Sequence, residues 1–207
     1  MSLFQRIEFF TSAAKLDNLP ENSRGEIAFA GRSNAGKSSA LNTLVRRKRL
    51  AFVSKTPGRT QLLNFFSLGG DRYLVDLPGY GYAKVPGKVR APWEKLIGDY
   101  LSGREPLLGL VVVMDARHPL TPLDLYLIEW FSPTLKPIHV LLTKSDKLTP
   151  AEGRRTLKEV ATELARLSPL FSAQLFSSLK KQGAEETEAV LSGWLAPDKA
   201  PDAGGGK

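Results

Sequence analysis

Eight consecutive residues, Gly31-Arg32-Ser33-Asn34-Ala35-Gly36-Lys37-Ser38, have the types and spacing to hold a di- or triphosphate. Glycines at the first and sixth positions let backbone N–H groups turn inward where a side chain would obstruct them. The lysine can neutralise β- and γ-phosphate oxygens, and the serine hydroxyl is a ligand for Mg²⁺. Asp76-Leu77-Pro78-Gly79 adds an acid that can hold the hydration shell of Mg²⁺ and a Gly79 amide that can reach a terminal phosphate. Thr143-Lys144-Ser145-Asp146 offers a carboxylate able to accept from N1–H and the 2-amino group of guanine, a pair of donors that adenine lacks. Lys144 is expected to lie along the base and the phosphate loop as a brace. Ser177-Ser178-Leu179-Lys180 is suited to present backbone N–H groups to the guanine O6. By themselves D-x-P-G is a common turn and T-K-x-D a weak match; their meaning comes from the elements around them.

Those elements are an alternation of apolar strands and amphipathic helices. Residues 26–30 read as a buried strand and 39–45 as a helix, the strand–loop–helix context that the phosphate loop requires. Residues 62–68 and 73–76, joined at Gly69-Gly70-Asp71, read as a hairpin whose first strand runs against the rest. A helix carrying Val89, Trp93, Leu96, Ile97, Tyr100 and Leu101 on one face stops at Gly103. Residues 107–115 form a continuous apolar strand of the doubly covered, parallel kind. Thr121-Pro122 opens the next helix with an N-cap and a first-turn proline, ending before Pro133. Residues 138–142 are another buried strand. Thr149-Pro150-Ala151-Glu152 is a capping box for a helix to about residue 167. A strand over 173–177 and a helix over 185–195 close the domain. Residues 1–24 read as a lead-in packed on a domain spanning 25–196, and the Pro/Gly/Asp-rich stretch 197–207 as a disordered tail.

Composition narrows the setting. The 207 residues suit one α/β domain with a large core. The absence of cysteine excludes disulfides and thiolate metal sites and fits a reducing compartment. His118 and His139 lack partners at ligand spacing and read as a loop and a strand residue. The apolar run 107–114 is too short to cross a bilayer, and Arg6 and Glu8 interrupt any secretory core, so a cytoplasmic protein without membrane attachment is expected. A formal net charge of +8 favours a polyanionic partner, RNA or ribosome, although a solubilising surface also accounts for it. The basic cluster Arg46-Arg47-Lys48-Arg49 divides the same way, between an RNA contact and cations complementing a helix C-terminus.

The fuller strings AFAGRSNAGKS (28–38), TPGRTQLLNF (56–65), VDLPGYGYA (75–83) and FSSLKKQG (176–183) resemble the EngB/YihA/YsxC family of bacterial ribosome-assembly GTPases over roughly residues 5–195. The resemblance implies a P-loop, Ras-like G domain with a six-stranded, mostly parallel sheet flanked by helices. It implies GTP/GDP held by the phosphate loop through Ser39, by Gly58, Arg59, Thr60, Gln61 and Leu62, by 76–79, by 143–146, and by Phe176, Ser177, Ser178 and Leu179. It gives Mg²⁺ on Ser38 and Thr60, alongside Asp76, and Lys37, Thr60 and Gly79 as the catalytic positions. Residues 54–62 and 79–90 become the two switch segments. The implied role is a switch in maturation of the large ribosomal subunit, acting on that subunit or its rRNA, needed for normal cell division and septation, with a monomer as the expected state.

One departure and one match bear on mechanism. Tyr80 stands where many related GTPases place a water-orienting Gln, so intrinsic hydrolysis is expected to be slow and raised by a partner. Asn34 matches an Asn that some related GTPases use to help bind K⁺; an asparagine that merely shapes the turn explains it as well. The competing reading is a GTP-dependent binding module that contacts a cell-division protein with incidental turnover. A P-loop kinase or ATPase is disfavoured by Asp146, for which an adenine site has no use.

Overall fold

A computed structural model of the chain describes residues 3–46, 62–80 and 87–196. The strands are β1 (Glu8–Ala13), β2 (Gly25–Gly31), β3 (Leu63–Gly69), β4 (Arg72–Asp76), β5 (Leu107–Asp115), β6 (Ile138–Thr143) and β7 (Phe171–Leu175). The helices are α1 (Lys37–Leu44), α2 (Gly87–Gly103), α3 (Pro122–Phe131), α4 (Pro150–Leu167) and α5 (Ala184–Leu195). The strands form one sheet in the order β1-β3-β4-β2-β5-β6-β7. Pairing is parallel from β4 through β7, and antiparallel for β1 with β3 and β3 with β4.

The central strands are largely apolar because both faces are covered. In β5, Leu110, Val112 and Met114 enter a core with Tyr100 of α2, Ile128 and Phe131 of α3, and Val160 and Leu164 of α4. The alternate residues Val111 and Val113 enter a second core with Leu41 and Leu44 of α1 and Leu191 and Leu195 of α5. Alternation along one strand thus feeds two helical layers.

The seventh strand corrects the expected six. Glu8–Ala13 pairs with β3, and the register slips between Phe9 and Thr11. This bulge places two adjacent residues, Phe9 and Phe10, opposite one partner and erases the period of two by which a strand is recognised. Phe9 meets Phe66 edge-on and Phe10 meets Tyr73, so consecutive aromatics serve the sheet without alternating. The last strand lies at 171–175, two residues earlier than the sequence suggests, leaving Phe176 and Ser177 to begin a loop.

The chain leaves β2 between two parallel neighbours, β4 on one side and β5 on the other, and the crossovers from these strands diverge. A crevice outside the carboxyl ends of the strands is the consequence. Each stretch given a nucleotide-binding role above that falls within the described residues, at 31–39, 76–79, 143–146 and 176–179, lies at or just past a strand's carboxyl end at that crevice.

Candidate nucleotide-binding site

The phosphate loop is built by β2 and α1. Gly31 ends the strand where a Cβ would stand 2.9 Å from the backbone oxygen of Val113, too close for any side chain. Asn34 and Gly36 adopt left-handed backbone, at φ 64° and 95°, a conformation that asparagine tolerates and glycine adopts freely. The loop closes through Ala35 N–H donating to Arg32 O at 3.0 Å, and α1 begins at Lys37. Ser38 is half-buried in the first turn and Ser39 is exposed, its carbonyl accepting from Thr43 Oγ1 at 2.8 Å.

Facing this loop, β4 delivers Asp76, which forms an ion pair with Lys37. Leu77 is buried and its N–H donates to Phe29 O at 2.9 Å, which fixes the chain as it turns through Pro78 into Gly79. The Tyr80 amide donates to Gly31 O and the Ser33 amide to Tyr80 O, both at 3.2 Å, so the segment after Asp76 is bonded directly to the phosphate loop. Tyr80 does not extend as a carboxamide substitute. Its hydroxyl donates to Asp124 Oδ1 at 2.7 Å, and burial first, then the negative charge of Asp124, raises its pKa far above the usual phenol value, keeping it a donor.

At the other side, β6 ends in Thr143, whose hydroxyl lies within hydrogen-bond reach of Ala35 O and of Met114 O. Lys144 takes left-handed backbone and donates to Asn34 O at 2.8 Å and to Asp115 Oδ2 at 3.0 Å, which braces the phosphate loop. Ser145 is held by Phe176, its hydroxyl donating to Phe176 O at 3.0 Å. Asp146 Oδ1 accepts from Ser177 Oγ at 2.6 Å, which holds its carboxyl below the usual range. The loop after β7 is closed by paired backbone bonds between Ser177 and Gln182, with Gly183 at φ 83°. Ser178 is half-buried and Leu179 78% exposed, leaving their backbone at the rim.

Gly58, Arg59, Thr60 and Gln61 lie outside the described residues, as do residues 47–49 of the basic cluster, residues 81–86 of the second expected switch segment, and residues 197–207. Leu62 is half-buried just before β3.

Two residues belong to this region that sequence reading had not assigned to it. Asp115 ends β5 and takes the guanidinium of Arg117, Nη2 to Oδ2 at 2.6 Å, together with Lys144; the bond from Arg117 leads in depressing its carboxyl well below the usual range. Its signal was its place at the end of a central strand. Asp124 is visible in sequence only as the fourth residue of a helix start.

Among the described residues no three Asp, Glu, His or Cys side chains cluster as a metal site. One carboxylate and one hydroxyl beside a phosphate loop instead form a donor set that suits a hard cation completed by phosphate oxygens. A strand-loop-helix loop of phosphate-binding type, an acid facing it, a lysine bracing it and a carboxylate just past the end of β6, all on a doubly covered sheet, define a P-loop GTPase.

Relatives agree. The profile of the 50S ribosome-binding GTPase family matches residues 26–144. The probable GTP-binding protein EngB of Thiobacillus denitrificans is 60% identical over 203 residues, 98% of each chain, and that of Neisseria meningitidis serogroup B is 54% identical over 197 residues, 94% of each. Among solved structures, a probable GTP-binding protein EngB superposes with TM-score 0.66 at 20% identity, covering 83% of this chain and 98% of that one. Era in complex with MgGDPNP and nucleotides 1506–1542 of 16S ribosomal RNA superposes with TM-score 0.64 at 23% identity, covering 86% of this chain and 58% of that one. These two likenesses concern the fold. The chain belongs to the EngB family of GTP-binding proteins, and it is a GTPase.

Proposed function

We propose that GTP binding switches this domain into a form that docks on the large ribosomal subunit or its rRNA during subunit assembly, that hydrolysis releases it, and that normal cell division and septation depend on this cycle. The observation that carries the reading is the match of residues 26–144 to a family described as 50S ribosome-binding GTPases. The net charge of +8 supports a polyanionic partner. In the same reading the protein is a cytoplasmic monomer; among the described residues no helix is long and apolar enough to cross a membrane.

In this assignment the backbone amides of 31–39 and the Lys37 ammonium hold the phosphates, and Asp146 accepts from guanine while the amides near Ser178 and Leu179 face its O6. Lys37 leaves Asp76 for the phosphates when nucleotide enters. Ser38 and Asp76, with Thr60, would hold Mg²⁺, which shields phosphate charge when bound. The Gly79 amide meets the γ-phosphate. Tyr80, committed to Asp124, orients no water, which makes unassisted hydrolysis slow and leaves stimulation to a partner. The left-handed φ of Asn34 accounts for an asparagine by conformation; turnover in KCl against NaCl decides whether it also serves K⁺.

The test is co-sedimentation of the purified protein with large ribosomal subunits, GDP against a non-hydrolysable GTP analogue, at fixed near-physiological salt because a cationic protein adheres to any RNA at low ionic strength. Binding with the analogue alone is expected. Equal binding in both states would discard the ribosomal switch in favour of a protein partner in division.

A further inference from the structure

One buried carboxylate near the crevice enters the assignment above only as the partner that occupies Tyr80. Asp124 is completely buried in the first turn of α3. Its Oδ2 accepts from the Thr121 N–H at 2.9 Å and the Thr121 hydroxyl at 2.6 Å, a capping box that fixes its rotamer. Its Oδ1 is thereby free to face the crevice, where it accepts from the Tyr80 hydroxyl at 2.7 Å. Arg32, the second residue of the phosphate loop, brings Nε to 3.5 Å from Oδ2 and reaches His118 O with Nη2 at 3.4 Å. Helix capping alone needs neither Tyr80 nor Arg32. The carboxylate therefore joins three separate pieces of chain at one point: the phosphate loop, the residue after Gly79 and the start of α3.

The geometry points to Asp124 as a positioning residue for GTP hydrolysis, acting through Tyr80 to hold the Gly79 amide at the phosphate loop. Gly79 sits between a buried anchor, Leu77, and Tyr80, whose backbone is bonded to Gly31 and Ser33 on either side of Arg32. With the Tyr80 side chain pinned as well, the peptide carrying the Gly79 N–H has both flanks fixed, and the ordering cost of bringing it to a phosphate is met in advance. A charged acceptor at this bond makes it one of the stronger kind. The inference rests on the assignment of Gly79 to the γ-phosphate.

The experiment uses the full chain and three substitutions, Tyr80→Phe, Asp124→Ala and the double, with Gly79→Ala as the reference for the assignment itself. Single-turnover GTP hydrolysis, the affinities for GDP and a GTP analogue, and thermal unfolding are measured for each. Tyr80→Phe keeps the ring and removes only the bond; it is expected to slow hydrolysis about tenfold, the scale of one hydrogen bond to a charged group, with GDP affinity within about twofold. Asp124→Ala also loses a helix cap and melts lower, but its rate with the double substitution should match its rate alone, because both remove one link. Gly79→Ala, whose Cβ would stand 3.4 Å from Gly31 O, should slow hydrolysis and weaken the analogue while sparing GDP. If Gly79→Ala has this effect and Tyr80→Phe hydrolyses like the parent, the role of Asp124 is overturned and the assignment of Gly79 stands. Multiplying losses in the double substitution overturn it too. If Gly79→Ala changes nothing, the assignment fails and takes this inference with it.

Discussion

Two buried carboxylates near opposite ends of β2 each accept from a tyrosine hydroxyl and lie beside an arginine, with different results. At the N-terminal end, Glu26 is completely buried; Tyr100 donates to Oε2 at 2.8 Å and Arg104 Nη2 to Oε1 at 2.6 Å, with Nε at 3.1 Å from the same oxygen. Arg104 also donates to Pro20 O at 2.6 Å, and its own carbonyl accepts from Lys136 Nζ at 2.9 Å. Burial, then the negative charge of Glu26, drives the Tyr100 pKa well above its usual value. Close to the C-terminal end, Asp124 has the tyrosine at a similar distance, but Arg32 Nε stands 3.5 Å away and makes no hydrogen bond. A carboxylate gripped by a guanidinium fork stays paired with it. One whose arginine stands off is held instead by the Thr121 amide and hydroxyl and by a tyrosine that belongs to the segment beside the phosphate loop. The first arrangement sets stability and the second is placed to serve turnover.

Substitutions at the two ends should therefore separate in what they change. The largest effect is expected from Asp146→Asn at the crevice: preference should pass from GTP to XTP, a change of about 10⁴-fold in relative affinity where a site is built to bond the base edge, with thermal unfolding nearly unaltered. Competition binding with both nucleotides measures it, and retained GTP preference would remove Asp146 from base recognition. At the far end, Glu26→Ala leaves the buried Tyr100 hydroxyl without its acceptor and the half-buried Arg104 with Pro20 O alone, and is expected to cost about 3–5 kcal/mol in denaturant unfolding, while the ratio of GTP-analogue to GDP affinity stays constant. A changed ratio would break the comparison. Gly31→Ala joins both effects, since its Cβ would press on Val113 O at 2.9 Å; a loss of about 1–3 kcal/mol from overpacking should accompany a loss of nucleotide binding.

The smallest effect concerns neither end. His139 is buried in β6, with Nδ1 2.8 Å from Ser172 Oγ and Nε2 2.8 Å from Gln174 Oε1, and burial lowers its pKa. The unfolded chain then binds the extra proton more readily, so this contribution to stability is complete above the ordinary imidazole value of 6.5 and declines as pH falls below it. Melting temperature against pH should show that decline, and His139→Gln should flatten it. Gln174 also donates to Gly183 O at 2.6 Å, which ties the histidine to the loop that follows Ser177 and makes that loop the first place to look for protection loss by hydrogen exchange.

Much of the site was legible in the chain because its parts are local. The glycines, Lys37 and Ser38 lie within one turn of loop and helix, and a carboxylate three residues past a buried strand is placed at that strand's carboxyl end, as Asp146 is past β6. The helix starts at Thr121 and Thr149 were equally plain, since a capping box is written within four residues. The strand at Glu8–Ala13 was not, because its bulge removes the alternation that marks a strand. Lys144 is an intermediate case: its type and place suggested a brace, and only the paired register of β5 and β6, Asp115 beside Thr143, supplied Asp115 as its second anchor.

What the sequence determined by itself is the kind of ligand, a guanine nucleotide, because recognition of phosphate and base depends on short runs whose backbone conformation is set by the residues in them. What tertiary structure decided is which distant groups share a bond. Arg32, Tyr80 and Asp124 come from three different connections, and no spacing between them carries information about distance. They meet because β4 and β5 flank β2 in the sheet, so the chain segments leaving all three strands are delivered to one edge.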